Sequence, residues 1–171
     1  MEDIYPERVD DVAWENDLTA FRAYGPALQE TGERAFGYDI WTKYNTTEPV
    51  VEARYEGELN PDMKAKIAEL GKTDPKAAQE LYRSVSYHVD HGNGLDCYKV
   101  GPTLGGGTTA LMAGDTIVYP YCYKDYEILD NGPLRFTVKL VYNPLKVKEN
   151  DNIIETRILS LDAGSQLNKI T

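Results

Sequence analysis

The stretch RFTVKLVY (135–142) alternates apolar and polar positions, with Phe136, Val138, Leu140 and Tyr142 on one side. Period-two alternation predicts a strand with one buried face. Strand-like runs continue on both sides of it. LDCYKV, TIVYPYCYKDYEIL, LRFTVKLVYNPL and NIIETRILSLD are separated by turn signals at Gly105, Gly106 and Gly107, at Asn131, Gly132 and Pro133, and over 149–152. Near the start, DVAWENDLTAFRAYG alternates as one strand bulged near Asn16 and Asp17 and closed by Gly25 and Pro26. That alternation puts Val12, Trp14, Asn16, Leu18, Ala20, Arg22 and Tyr24 on a common side. AFGYDIWTKYN predicts a second strand with a turn after it.

Residues 60–84 change character. Asn60 before Pro61 is a helix start, Met63, Ile67 and Leu70 share one face, and Gly71 ends the helix. Asp74 and Pro75 start a second helix with Ala78, Leu81, Tyr82 and Val85 as its stripe. The pattern predicts a mainly β protein, an antiparallel sheet or sandwich, with a short helical insertion over 60–84. The 171 residues suffice for one domain. The last stretch, ILSLDAGSQLNKIT, stops in mid-pattern. The expectation is therefore a single β-sandwich domain over 1–171, the N-terminal part of a longer one and incomplete at its C-terminus. A cut sandwich exposes sheet edges, so self-association is expected as well.

Composition changes the picture in three ways. The net charge is −10 with no Lys/Arg run, which argues against nucleic acid and against recruitment to an anionic membrane. No apolar stretch is long enough to span a bilayer, so no membrane insertion is expected, and the start MEDIYPERVD lacks the features of a signal peptide. The 13 tyrosines against 3 Phe and 2 Trp supply surfaces that are both apolar and hydrogen-bonding, suited to sugars and to sheet faces alike. Cys97 and Cys122 sit in tyrosine-rich, strand-like stretches, and two buried free thiols are expected rather than a bridge.

Candidate chemistry concentrates in YHVDHGNGLDCYKVG, which holds both histidines, His88 and His91. Their H-x-x-H spacing does not make a zinc site, because the glycines that follow forbid a helix and the chain has no third histidine. No metal and no cofactor is expected. Histidine is the side chain suited to moving a proton at physiological pH. His91 precedes glycines that let the backbone turn, and Asp90 or Asp96 is placed to orient it; the alternative is a polar loop whose His and Asp side chains cap turn amides. The chain has no G-x-S-x-G, and TLGGGTT lacks the lysine of a phosphate-binding loop.

AWENDLTAFRAYGPAL, YHVDHGNGLDCYKVGPTLGGG, YEILDNGPLRFTVKLVYNPL and ETRILSLDAGSQLNKI together resemble a bacterial family catalogued as a domain of unknown function, family 4861. The resemblance spans nearly the whole chain. Members are longer than this chain and are similar to the galactose-mutarotase-like superfamily, which implies an antiparallel β-supersandwich. They tend to occur in loci that degrade polysaccharides, often uronate-rich, and are usually exported, which implies a periplasmic or extracellular location. Aldose epimerases of that superfamily cradle the sugar with an early Asn-Arg pair and a His-Gly loop. By resemblance these map onto Asn16 and Arg22 and onto the run from His91 to Asp96. LSLDAGSQLN, comparable to their second motif, has no histidine, a departure from the epimerase pattern. The resemblance thus implies a carbohydrate-active domain acting on or binding a uronate-containing saccharide, with lyase- or epimerase-like chemistry. His91 and His88 would be its catalytic residues, and Trp14, Asn16, Arg22, Tyr24, Asp96 and Lys99 its substrate-binding residues. A non-catalytic carbohydrate-binding module and a structural domain without a sugar ligand are the alternatives. For Arg22 the plain alternative is a salt bridge to Glu15 or Asp17.

Overall fold

Two four-stranded antiparallel sheets face one another across one apolar core. A computed structural model describes residues 2–4, 10–44 and 49–171. In chain order the elements are β1 (Glu2–Ile4), β2 (Val12–Glu15), β3 (Thr19–Ala23), α1 (Pro26–Glu30), β4 (Asp39–Thr42), α2 (Val51–Glu58), α3 (Pro61–Thr73) and α4 (Pro75–Val85). There follow β5 (Leu111–Ala113), β6 (Thr116–Val118), β7 (Tyr123–Asn131), β8 (Arg135–Tyr142), β9 (Leu145–Val147), β10 (Asn150–Ile153), β11 (Thr156–Asp162) and β12 (Asn168–Ile170). The first sheet runs β1-β2-β3-β4 and the second β12-β11-β8-β7; β5-β6 and β9-β10 are separate hairpins.

The core is built as the alternation predicts. Phe136, Val138, Leu140 and Tyr142 of β8 are buried and meet Val12, Trp14, Phe21 and Ala23 of the first sheet, with Leu159 and Leu161 of β11 beside them. Each such side chain contributes about 1.5–3 kcal/mol of burial. The protein is mainly β, with sheets packed face to face as in a sandwich.

The first strand differs from its pattern. Residues 12–23 form a hairpin, not one bulged strand, with Trp14 opposite Phe21 and Ala13 opposite Arg22. Asn16 makes the turn: its Oδ1 accepts from the Leu18 and Thr19 amides at 2.8 and 2.9 Å. Such a side-chain-to-backbone turn competes with strand continuation. Trp14 therefore faces the core while Arg22 faces the opposite side of the sheet.

The helical pair forms where its caps predict. Asn60 accepts from the Asp62 and Met63 amides, and Asp74 from the Ala77 amide. The first helix runs through Gly71 to Thr73, and α2 adds a helix ahead of the pair. The buried Val51 and Tyr55 of α2 pack on Ala13, Ala20 and Trp41, covering the outer face of the first sheet. LDCYKV is not a strand; it offers one bridge, Trp41 to Asp96. TIVYPYCYKDYEIL is broken at Pro120, which cannot donate to a ladder. The turn expected over 149–152 sits one step earlier, where Lys148 takes a φ of 57° and β10 begins at Asn150. The turn expected after β4 lies largely outside the described residues.

Both cysteines are free, as expected, although Cys97 is exposed and only Cys122 is buried. Among the described residues no helix is long and apolar enough to cross a membrane.

Candidate active site on the outer face of the first sheet

Arg22 is the centre of this face and is 2% exposed. Its guanidinium donates to the Asp39 carboxylate, to the Tyr55 hydroxyl at 3.0 Å and to the Tyr24 hydroxyl at 2.8 Å. Asp11 lies 3.7 Å away, and the rings of Tyr24, Trp41 and Tyr55 surround the charge. Burial pulls the pKa of Arg22 down, but Tyr55, Asp39, Tyr24 and Asp11 outweigh it and hold the group above its ordinary value. The salt bridge to Glu15 or Asp17 entertained from sequence is thus made to Asp39 and Asp11. Glu15 pairs instead with buried Lys43 at 2.7 Å.

The loop after α4 lies along β4. The Thr42 amide donates to Leu95 O at 2.9 Å, the Leu95 amide to Thr42 Oγ1 at 3.1 Å and the Cys97 amide to Ile40 O at 3.2 Å. Gly94 makes this approach possible. It has φ +91°, and a Cβ there would stand 1.9 Å from Thr42 O. The loop delivers Asp96, 5% exposed, to the same face as Arg22.

Asp96 meets His88, with Oδ2 3.4 Å from Nδ1, and its Oδ1 accepts from the Tyr98 amide at 3.3 Å. Burial, and then Asp39, push the Asp96 carboxyl up to about 6, against the opposing pull of His88, the Tyr98 amide and Arg22. The His88 side chain is 43% exposed and leans on Tyr87, ring centroids 4.6 Å apart. Its Nε2 has no hydrogen-bond partner among the described residues. A carboxylate on one ring nitrogen and solvent at the other is the arrangement of a proton-transferring imidazole.

His91 is turned differently: its Nε2 donates to Ser86 O at 3.0 Å. Neither aspartate orients it. Asp90 accepts from the Gly92 and Gly94 amides and from the Tyr44 hydroxyl, bracing the loop. Asp96 pairs with His88 instead.

Of the sequence-derived residues, Arg22, Tyr24, Asp96 and His88 gather on one face, and Lys99 is exposed just beyond Tyr98. Trp14, 1% exposed, is enclosed in the core on the other side of the sheet. Asn16 is a tie-point: its Nδ2 donates to Asp162 O and Ser165 O at 2.6 and 2.7 Å, joining the two sheets. It lines a separate cleft of about 500 Å3 at the end of the sandwich, over the Glu15–Lys43 pair. The predicted common face of Trp14, Asn16 and Arg22 is therefore not formed, because the chain turns at Asn16. Asp39, Tyr55, Trp41 and Tyr98 complete the face, and of these Asp39, Tyr55 and Trp41 were missed. A lone carboxylate inside the apolar run YDIW was the available signal for Asp39. Among the described residues no three His, Cys, Asp or Glu side chains converge as metal ligands.

A pH effect follows from Asp96. With its carboxyl held above the ordinary range, the folded chain binds that proton more readily than the unfolded chain. The resulting stability is fully present below about pH 4 and is lost as pH rises through about 6. Asp96→Asn should flatten that limb of the melting-temperature profile; an identical slope in the variant would assign the proton to another group.

A family model described as a domain of unknown function (DUF4861) matches residues 1–171. A relative from Formosa agariphila, "Uncharacterized protein P7", is 30% identical over 171 residues, covering 96% of this chain and 37% of the relative. The chain therefore spans well under half the length of that relative. No solved structure matches the chain.

Proposed function

The chain belongs to the DUF4861 family, a domain of unknown function, and from that premise we propose that it binds and acts on a uronate-containing saccharide where His88 opens to solvent at the edge of the α2-covered outer face of the first sheet. One observation carries the reading: the His88–Asp96 pair, anchored by a buried carboxylate and open to solvent on the imidazole. Resemblance to galactose-mutarotase-like proteins of polysaccharide-degrading loci supports the substrate class, and with it an exported location. Arg22 is committed to Asp39 and Tyr55, so exposed Lys99, three residues after Asp96, is the cation we assign to a uronate carboxylate. In this reading, neutralising that carboxylate acidifies the sugar C5 proton, His88 Nε2 accepts it, and the electron pair left behind either expels the oxygen at C4 or is reprotonated from the opposite face. Tyr24 and Tyr98 flank the face as hydrogen-bonding aromatics.

The test is incubation of the protein with a panel of uronate oligosaccharides, products read by mass spectrometry. His88→Ala should lower product formation by about a hundredfold or more, with His91→Ala having the smaller effect. Equal product from wild type and His88→Ala would sink the assignment. Bound sugar without product would make the domain a carbohydrate-binding module.

A further inference from the structure

A second group of aromatic side chains lies outside the His88 face. Phe36 stacks on Tyr119 with ring centroids 5.0 Å apart and planes inclined by 26°, and meets Tyr121 at 6.4 Å. Tyr119 and Tyr121 are 40% and 39% exposed. Single exposed apolar residues need no explanation, but a contiguous apolar patch with a polar rim marks a contact site. The patch is built, since its two strands of sequence are far apart. Gln29 joins them, donating from Nε2 to Tyr121 O at 3.0 Å and accepting at its own carbonyl from the Tyr121 hydroxyl at 3.3 Å.

A cation stands beside the rings. The exposed Arg34 guanidinium carbon lies 5.4 Å from the Tyr121 ring centroid, and Arg34 makes no ion pair among the described residues. The chain as a whole carries −10. A net negative chain disfavours an anionic ligand as a whole, so an unpaired guanidinium is what such a ligand would need locally, and a guanidinium takes a carboxylate in bidentate fashion. The flat faces of the tyrosines suit a ring that is apolar on one face and hydroxylated at its edge.

We propose that Phe36, Tyr119, Tyr121 and Arg34 form a second saccharide subsite, taking a pyranose ring over the tyrosines and its carboxylate on Arg34. The identity of the ligand rests on the uronate reading above. Tyr24, which stacks under Arg22, shares one crevice with Phe36 and Tyr121. The crevice holds about 10 Å3, too little for a sugar ring. A longer chain would lie across its rim, leading from the subsite towards the His88 face.

Calorimetric titration with an oligogalacturonate and with its methyl ester tests this. Arg34→Gln replaces an exposed side chain and keeps the wild-type melting temperature, whereas Tyr119→Ala also loses the Phe36 contact, so its affinity is read at a temperature where its melt shows it folded. Tyr119→Ala should weaken the acid oligosaccharide by about tenfold. Arg34→Gln should abolish the preference for the acid over its ester. Unchanged affinity and preference in these variants, with turnover still lost in His88→Ala, overturns the subsite alone. Weakened binding in both, with turnover absent or indifferent to His88→Ala, keeps the subsite and overturns the proton pair. If neither probe binds, the subsite falls, and the His88 reading is decided by the turnover assay.

Discussion

Arg22→Met should lower the unfolding free energy by about 3–5 kcal/mol, the scale for removing one partner of a buried ion pair. Methionine fills much of the space but leaves the Asp39 carboxylate, 2% exposed, beside Asp11 and without its guanidinium. Two hydroxyls, on Tyr55 and Tyr24, lose their donor as well. Because the penalty comes from the uncompensated charge, adding Asp39→Asn to the variant should recover part of it. Arg22→Lys should not restore stability, since an ammonium cannot reach Asp39, Tyr55 and Tyr24 in one plane. Urea denaturation at neutral pH reads all of these. A loss below about 1 kcal/mol would mean that the pair behaves as a solvent-screened surface bridge. Measured on the oligosaccharide panel, the folded Arg22→Met protein should keep its carboxylate preference, because the guanidinium already has protein partners.

Trp14→Ala should cost about 3–5 kcal/mol, the range for emptying a buried aromatic site. The ring stacks on Phe21 at 5.8 Å and on Phe136 at 6.1 Å, and meets Tyr38 edge-on at 5.9 Å. It therefore bridges both sheets, and its loss opens a void that neither sheet closes alone. Its Nε1 is buried without a hydrogen-bond partner among the described residues, so Trp14→Phe should cost much less than Trp14→Ala. Thermal melts of the two variants check the order. A sugar platform predicts something else: normal stability with lost affinity in Trp14→Ala.

These two residues show how a candidate site is misread from a linear pattern. Trp14 and Arg22 are an even number of residues apart, and unbroken alternation places them together. The inserted turn at Asn16 reverses the chain, so each strand contributes to both faces, and the pair is separated by the sheet itself. The signal for the turn was the Asn16-Asp17 dipeptide, which also serves as a bulge signal. Its outcome depends on whether Asn16 finds the Leu18 and Thr19 amides or continues the ladder.

His88 and His91 illustrate the same limit at shorter range. Three residues apart in a glycine-rich loop, they exchange roles between sequence and structure: the sequence offers Asp96 to His91, and the fold gives it to His88. Register against β4 decides between them, through Gly94 passing within touching distance of Thr42 and so setting where Asp96 points.

Local chemistry was enough wherever an element is decided by its own residues. The alternation of 135–142 places one face in the core because hydrophobic burial acts on every second residue regardless of partner. Asn60 with Pro61 and Asp74 with Pro75 start helices because their side chains and fixed φ satisfy the first turn directly. Family membership was legible for the same reason, as a set of motifs spread along the chain. Tertiary structure alone decided which faces those elements share: the pairing of Arg22 with Asp39, of His88 with Asp96, and of Phe36 with Tyr119 from opposite halves of the chain. The first depends on strand register, where a one-residue shift would send Arg22 to the other side of the sheet; the other two join loop residues that only the packing of distant segments brings together, as where Gly94 approaches Thr42.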